Sequence, residues 1–243
     1  MLRFPPKKIL VPLDFSENSV TAWKQAAALA ERFGARVEGL YVQEWLHSAM
    51  GLGVGEPRAT AQASLRALGS LRLRLGPGAD VRSVTGSVNE TILSWGRHLG
   101  FDLIVMGTHG RTGLERALKG SIAEIIVRNS SIPVLVVREA LTPRFRSVLA
   151  PVNFEPYSRD GLLFAAKTAA ALGARLTVLH VLSSPLYGDS TAMDGPKQLL
   201  ADAVERLPAR LRHACRPKLR LALGKPSEEI VSAADEADLV VLA

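Results

Sequence analysis

Residues 102–121 read Asp-Leu-Ile-Val-Met-Gly-Thr-His-Gly-Arg-Thr-Gly-Leu-Glu-Arg-Ala-Leu-Lys-Gly-Ser, an apolar run that passes directly into a loop rich in glycine. A short apolar run with a glycine boundary is typical of a buried strand. Ser121 is a residue type favoured just before the first turn of a helix. Glycine lets the backbone approach an anion closely, and the free N–H groups at a helix start attract it. We therefore predict a strand, a phosphate-binding loop and a helix.

The chain repeats its own pattern. Residues 11–15 read Val-Pro-Leu-Asp-Phe, and residues 150–154 read Ala-Pro-Val-Asn-Phe, 139 positions later. Further on, Gly86 matches Gly224 at an offset of 138. A repeat of this length indicates two copies of one structural unit.

We place a first domain at residues 1–140 and a second at residues 145–243, with a linker near residues 142–146. In both copies, short apolar runs alternate with longer amphipathic stretches. This alternation predicts an α/β fold with a parallel sheet that is covered by helices on both faces.

Element boundaries in the first copy follow from the apolar runs and the turn residues between them. Ser19 is the predicted N-cap of the first helix, and Gly34 is predicted to end it. We expect strands at residues 9–13, 37–42, 80–85, 103–106 and 133–137, and helices at 19–33, 58–75, 88–99 and 122–128. Ligands of such sheets bind at the carboxyl ends of strands. Asp14, Val42 and Gly107 occupy those ends.

Composition excludes several classes of protein. The chain is 47% hydrophobic and 22% charged, which is ordinary for a soluble globular protein. No apolar run approaches the roughly 20 residues of a membrane helix, and the run at 9–13 is too short for a signal peptide. The single cysteine, Cys215, excludes a disulfide framework and a cysteine-based metal site. We expect a cytoplasmic protein without a membrane partner.

The chain carries a net charge of +7, and its basic residues are most dense at 206–220. A surface that binds single-stranded nucleic acid would place aromatic rings among the charges, and this stretch has none. We interpret it as a solvated helical face, with a polyanion partner as the less favoured alternative.

Taken together, these motifs resemble the universal stress protein family in its tandem two-domain form. Gly107, Gly110, Gly120 and Ser121 match the nucleotide-binding pattern of the family, Gly-x2-Gly-x9-Gly-[Ser/Thr]. Its opening Val-Pro-x-Asp, its second-strand valine and its last strand are matched by residues 11–14, Val42 and residues 132–137. The match covers the first copy fully and the second in part.

The resemblance implies two tandem flavodoxin-like, Rossmann-like domains of the adenine nucleotide alpha hydrolase-like type, the second incomplete as given. It implies ATP as the ligand, with AMP or ADP as alternatives and with Mg²⁺ held mainly by phosphate oxygens and water. Asp14 would contact the ribose or adenine, the Val42 backbone would face the adenine edge, and Arg111 would add charge near the phosphates. The residues expected to bind the nucleotide are Pro12, Asp14, Val42, Met106, Gly107, Gly110, Arg111, Gly120, Ser121 and Ile122.

On this reading the protein serves stress response or signalling, and nucleotide occupancy modulates its conformation or assembly. The last strand at 133–137 is expected to pair across a homodimer or an intrachain pseudo-dimer. No catalytic triad, paired carboxylates or metal-spaced cluster stands out. Two alternatives stay open. One is a slow ATPase or another adenine-nucleotide-dependent enzyme, although residues 14–19 lack the glycines of a phosphate loop. The other is an interaction scaffold that binds no nucleotide.

The second copy departs from the pattern. It places Asn153 where the first copy has Asp14, and Ala243 aligns with Gly107. The phosphate loop, the last helix and the last strand therefore have no counterpart in the sequence as given, and we expect it to omit a tail. We predict one nucleotide site, in the first copy, and none in the second.

Overall fold

The structure, a computed structural model, describes residues 3–44, 69–107, 122–138, 145–183 and 193–243. Two compact units are present: one is Pro6–Pro143, and the other is Arg144–Ala243 together with Arg3–Pro5. None of the helices within the described ranges is long and apolar enough to cross a membrane.

The first unit is built on a parallel sheet of five strands in the order β3-β2-β1-β4-β5. The strands are β1 (Lys8–Leu13), β2 (Arg36–Gln43), β3 (Val81–Thr85), β4 (Leu103–Gly107) and β5 (Val134–Val137). The helices are α1 (Glu17–Phe33), α2 (Val88–His98) and α3 (Ile122–Asn129), and residues 69–75 are also helical. The parallel α/β fold predicted from the sequence is confirmed.

Side-chain alternation along the strands sorts the apolar residues onto two faces of this sheet. The even-numbered residues Leu10, Leu40, Val42, Ile104 and Met106 pack with Ile92 of α2 and with Ala123 and Ile126 of α3. On the opposite face, Gly39 lies against the side chains of Leu13 and Trp23, the latter on α1. The two faces therefore match the double covering that the alternating pattern predicts.

The start of α1 differs from the prediction. The N-cap is Ser16, whose side-chain oxygen accepts from the backbone N–H of Ser19, so Ser19 lies inside the helix. Phe15, just before the cap, has a φ of 66°, a left-handed conformation that turns the chain sharply after β1. The turn brings the chain into the helix three residues earlier than predicted. Gly34 ends the helix at a φ of 61°, as expected.

The second unit repeats this arrangement with four parallel strands in the order β8-β7-β6-β9. Its strands are β6 (Ser147–Pro151), β7 (Arg175–Leu182), β8 (Lys218–Leu223) and β9 (Leu239–Val240). Its helices are α4 (Pro156–Leu172), α5 (Asp194–Glu205), α6 (Ala209–Cys215) and α7 (Pro226–Ala234). Phe154 adopts a φ of 64°, like Phe15 in the first copy, so the duplication extends to an unusual backbone conformation.

An aspartate fixes the start of the first strand in each copy. Asp102 Oδ2 accepts hydrogen bonds from the backbone N–H groups of Lys7 and Lys8 at 2.8 and 3.1 Å. Asp238 Oδ2 accepts from the N–H of Arg146 at 2.7 Å and from the N–H and hydroxyl of Ser147, both at 2.9 Å. Asp238 is exposed, yet its carboxylate holds the start of β6 through these bonds.

These bonds make the second copy sensitive to acid. Burial raises the pKa of Asp238, but the hydrogen bonds from Arg146 and Ser147 and the nearby Arg146 charge outweigh it, so the pKa lies below its ordinary value. A carboxylate whose pKa is lowered by folding stabilises the fold fully above the unfolded pKa of about 3.9. That contribution is lost as the pH falls through the folded pKa.

We expect Asp238→Asn to lower the free energy of unfolding of the second copy by about 1 kcal/mol at pH 7, because solvent screens the lost charge-assisted bonds. The difference from wild type should begin to shrink below about pH 4, where the unfolded state binds the proton, and should vanish below the folded pKa, where the folded wild-type carboxylate is protonated as well. Urea unfolding followed by circular dichroism at the two pH values measures both effects. Asp235→Asn, at an exposed position nearby, is the control and should be neutral. An equal loss at both pH values would contradict the role of the charge.

Candidate functional site

A pocket opens in the first copy where β1, β2 and β4 end. It opens to solvent and encloses about 670 Å³ of empty space, part of which is open solvent. The strand order reverses between β1 and β4, and ligands of open α/β sheets bind at such a reversal. The lining residues are Pro12, Leu13, Asp14, Ser16, Asn18, Ser19, Leu40, Tyr41, Val42, Val88, Ile92, Met106, Gly107, Ile122 and Ala123.

Pro12 helps to explain why the sheet parts at this point. The pairing of β1 with β4 covers Ile9 and Leu10, and Pro12 follows without an N–H to extend it. The pairing of β1 with β2 continues to Leu13 opposite Tyr41. β1 therefore stays bonded to β2 while it separates from β4, and a crevice remains between their carboxyl ends.

The inner wall of the pocket is apolar because strand alternation directs one set of side chains into it. Leu40, Val42 and Met106 point to the same face of the sheet, and Ile92 and Ala123 approach that face from α2 and α3. All five are buried. The wall is thus continuous with the hydrophobic core and suits a flat apolar group such as a heterocyclic base.

The mouth of the pocket is polar and comes from the turn between β1 and α1. Asp14 Oδ1 accepts from the backbone N–H of Ser16 at 3.1 Å and from its hydroxyl at 2.5 Å. The Ser19 hydroxyl donates to the Ser16 carbonyl at 2.9 Å and accepts from the Asp14 N–H at 3.4 Å. These bonds hold the carboxylate at the rim beside the apolar wall.

Val42 lies one residue beyond the last pair between β1 and β2. The pairing of Leu13 with Tyr41 leaves the Val42 carbonyl without a ladder partner on β1, because β1 has ended and Phe15 has turned away. On its other side β2 continues its pairing with β3, as Val42 opposite Val84. The carbonyl therefore lies on the side of β2 where β1 has ended and the pocket opens.

Gly107 is required by packing against α1. A Cβ at this position would lie 2.5 Å from the carbonyl oxygen of Asn18 and 2.7 Å from its carbonyl carbon. Both atoms are backbone near the start of α1, so the neighbour cannot move away as a flexible side chain would. The sequence pattern indicates close approach to a phosphate at this glycine, whereas the structure shows close approach to a helix.

The predicted binding residues that the structure describes all line this pocket: Pro12, Asp14, Val42, Met106, Gly107 and Ile122. The remaining four, Gly110, Arg111, Gly120 and Ser121, lie outside the described residues. Sequence reasoning missed the other lining residues, which are Leu13, Ser16, Asn18, Ser19, Leu40, Tyr41, Val88, Ile92 and Ala123. Helical spacing connects Val88 with Ile92, but no sequence signal places α2 over the end of β2.

The second copy arranges the corresponding strand ends differently. Asn153 Nδ2 donates to the hydroxyl of Tyr157 at 2.7 Å, where the first copy has Asp14 and Asn18. His180 replaces Tyr41, stacks on Phe154 with ring centroids 4.2 Å apart, and places Nδ1 2.7 Å from the Val152 carbonyl. Asn153 and Tyr157, at the positions of the pocket residues Asp14 and Asn18, are thus bonded to each other in the second copy.

Within the described ranges, no group of three or more His, Cys, Asp or Glu side chains lies close enough together to hold a metal ion. The pocket contributes one carboxylate, Asp14, with hydroxyl and amide groups around it. A cation at this site would take its remaining ligands from a bound phosphate and from water.

Known proteins resemble this chain over both copies. The model of the universal stress protein family matches residues 5–138 and again residues 144–243. Universal stress protein MJ0531 of Methanocaldococcus jannaschii is 35% identical over 141 residues, which are 55% of this chain and 82% of that protein. Universal stress protein MJ0577 of the same organism is 29% identical over 153 residues, which are 54% of this chain and 94% of that protein.

Among solved structures, a universal stress protein from Archaeoglobus fulgidus DSM 4304 matches with a TM-score of 0.67. The match covers 97% of this chain and 84% of that one at 20% sequence identity, which shows a common fold. The family model accounts for nearly all of the sequence in two successive matches. The chain therefore belongs to the universal stress protein family, with two copies of the family domain in tandem.

Proposed function

We propose that the first copy binds an adenine nucleotide, with ATP as the leading candidate and AMP or ADP as alternatives. The observation that carries this proposal is the pocket at the reversal of strand order, where a buried apolar wall meets a carboxylate at the rim. The wall suits the base, and the carboxylate suits the hydroxyl groups of a ribose.

The glycine-rich segment that follows β4 supports the position of the phosphates. β4 ends at Gly107 in the pocket wall, and α3 begins at Ile122 in the same wall. The loop between them, with Gly110, Gly120 and Ser121, therefore starts and finishes at the pocket. Backbone N–H groups at the start of α3 would favour an anion there.

We propose that nucleotide occupancy modulates conformation or assembly, as part of a stress response or of signalling in the cytoplasm. A bound nucleotide would connect β1, β2 and the loop before α3, which are distant in sequence. β5 is an edge strand of its sheet and could pair with an equivalent strand in a homodimer or pseudo-dimer. Light scattering with and without ATP tests assembly, and a strict monomer in both states would exclude intermolecular pairing.

Isothermal titration calorimetry with ATP and with AMP, with and without Mg²⁺, tests the proposed ligand. Micromolar affinity corresponds to about −8 kcal/mol, which a few charge-assisted bonds and a buried base can supply. We expect Gly120→Val to weaken ATP binding about tenfold, because a β-branched side chain would stand where backbone and phosphate meet. The equivalent change in AMP binding should be smaller if the loop holds the outer phosphates.

The possible outcomes separate the alternatives. Absence of ATP binding by the wild type would contradict the proposal and favour a scaffold. Equal ATP affinity in Gly120→Val would contradict the role of the loop while leaving the pocket in place. A turnover of ATP above ~1 s⁻¹ would place the protein among ordinary enzymes instead.

A further inference from the structure

A second depression lies in the second copy, at the amino ends of its strands. It holds about 750 Å³ of space open to solvent and is formed where α4 and α6 end and β7 begins. Its lining residues are Gly173, Ala174, Arg175, His213, Ala214, Cys215 and Arg216. The strand ends that correspond to the nucleotide pocket are at the opposite, carboxyl edge of the sheet.

Three basic side chains surround this depression. Arg175, His213 and Arg216 are all exposed, and none of their side chains forms a hydrogen bond or an ion pair with the described residues. Other arginines of the same copy do have acidic partners, as Arg212 has Glu205 and Arg220 has Glu236. The cations of the depression are therefore available to a ligand.

The floor of the depression is neutral. Cys215 is fully buried there, and burial raises the pKa of its thiol above the ordinary value, although a hydrogen bond with its own backbone opposes this. Among the described residues that line the depression, none is Asp or Glu. The charge of the depression is therefore set by its basic rim.

Comparison of the two copies shows that two of the three rim residues are particular to the second, whereas Arg175 matches Arg36 of the first copy. The strand registers fix the alignment, because Leu40 pairs with Arg82 in the first copy and Leu179 pairs with Arg220 in the second. At this offset of 138, the rim residues His213 and Arg216 replace Leu75 and Gly78, and Lys218, which follows the depression at the start of β8, replaces Asp80. Three positions thus change from an apolar residue, a glycine and an acid to three basic residues.

The replacement of Gly78 is the most informative of the three. Gly78 has a φ of 82° and Arg216 a φ of 45°, so both copies use the left-handed region here. Glycine adopts this region freely, whereas an L side chain pays for it in free energy. The second copy keeps an arginine at a backbone position that favours glycine, and packing gives no reason for it because Arg216 is exposed.

Helix ends offer a partial structural explanation. Gly173 is the C-cap of α4 and Arg216 the C-cap of α6, and the carbonyl end of a helix favours a nearby cation. That effect does not need three cations, and it does not require the left-handed position to be an arginine. A role in ligand binding accounts for both the number of cations and the arginine at the left-handed position.

We propose that this depression binds the phosphate groups of a small, multiply charged molecule, such as a polyphosphate or a phosphate ester with more than one phosphate. Two guanidinium groups can each donate paired hydrogen bonds to phosphate oxygens, and His213 adds a ring N–H. The described part of the lining has no Phe, Tyr or Trp side chain on which a nucleic-acid base could stack.

Calorimetric titration of the full chain with inorganic tripolyphosphate tests this site. The titration uses the Gly120→Val background, so that the proposed nucleotide site of the first copy contributes little. We expect one binding event per chain, weakened at least tenfold by Arg216→Gly. The thermal stability of that variant should be unchanged or higher, because glycine is unstrained at a left-handed position. A loss of affinity therefore cannot be attributed to unfolding.

Arg210→Gln is the matched control. Arg210 is an exposed residue of α6 outside the depression, and its substitution removes the same unit of charge. We expect less than a twofold change in affinity at about 0.15 M salt, where charges more than about 8 Å away are screened. Equal losses in the two variants, or no tripolyphosphate binding at millimolar concentration, would overturn the proposal. It would also be overturned if an oligonucleotide bound more tightly than tripolyphosphate and displaced it, because the surface would then be a polyanion patch.

Discussion

Replacing Gly107 by valine is expected to destabilise the first copy by about 3 kcal/mol, the upper range for overpacking a fitted contact. The added Cβ would lie 2.5 Å from the backbone oxygen of Asn18. Asn18 is the second residue of α1, and Ser16 caps the start of that helix. To relieve the clash, α1 must move away from β4. Asp14, Ser16 and Asn18 line the pocket together, so the same movement should also deform its mouth.

The distribution of tryptophan allows this loss to be measured in the first copy alone. Trp23, Trp45 and Trp95 are the three tryptophans of the chain, and all precede residue 140. Urea unfolding followed by tryptophan fluorescence therefore reports on the first copy, which matters because a chain with two units need not unfold in one step. The expected result is a lower midpoint for Gly107→Val with an unchanged transition by circular dichroism for the second copy.

Gly69→Ala is the control for this experiment. Gly69 lies in the helical segment 69–75, and a Cβ there would meet nothing within 4 Å. Alanine in a helix is favoured over glycine by up to about 1 kcal/mol, so the control should be neutral or stabilising. If Gly107→Val were also neutral, the close contact between β4 and α1 would be wrong.

Strand positions could be predicted well from the sequence because each strand is a short apolar run with a clear boundary. Residues 103–106 were expected in a strand, and β4 is Leu103–Gly107. Residues 37–42 were expected, and β2 is Arg36–Gln43. The parallel arrangement follows from the helix between each pair of strands, which is long enough for a crossover connection.

The start of α1 could not be predicted because several residues compete for the cap. The segment from Asp14 to Ser19 contains four side chains of the types preferred at an N-cap, which are Asp14, Ser16, Asn18 and Ser19. Phe15 decides between them by turning the chain in a left-handed conformation, which a phenylalanine rarely adopts. Its ring packs edge-on against Tyr41 with centroids 4.5 Å apart, a contact between residues far apart in sequence.

The candidate site could be predicted from the sequence only in part, because some of its residues follow from the strand ends and others from helix packing. Residues at strand ends, such as Asp14 and Val42, follow from the sheet alone, because parallel strands bring their carboxyl ends to one edge. Val88, Ile92 and Ala123 depend on how α2 and α3 cross that edge, which is decided by side-chain packing. The role of Gly107 against Asn18 is likewise a property of three-dimensional packing and has no signature in the spacing of the glycines.

Asp14→Asn is expected to weaken ATP binding about 30-fold, or about 2 kcal/mol, without unfolding the first copy. A carboxylate accepts at both oxygens, whereas an amide accepts at one and donates at the other, so a pair of ribose hydroxyl donors loses one acceptor. The second copy shows that the amide preserves the turn. Asn153 Oδ1 accepts from the Glu155 N–H at 3.2 Å, as Asp14 Oδ1 accepts from the Ser16 N–H at 3.1 Å.

This substitution separates two roles of Asp14, one in holding the turn and one in contacting the nucleotide. Urea unfolding followed by tryptophan fluorescence should give the wild-type free energy of unfolding within about 0.5 kcal/mol, since the turn bond remains. Calorimetry should show the loss of ATP affinity. Asn153→Asp, the reciprocal change in the second copy, is the control and should alter neither. Wild-type ATP affinity in Asp14→Asn would mean that the carboxylate serves the turn alone, and the ribose contact would then have to come from another residue at the rim.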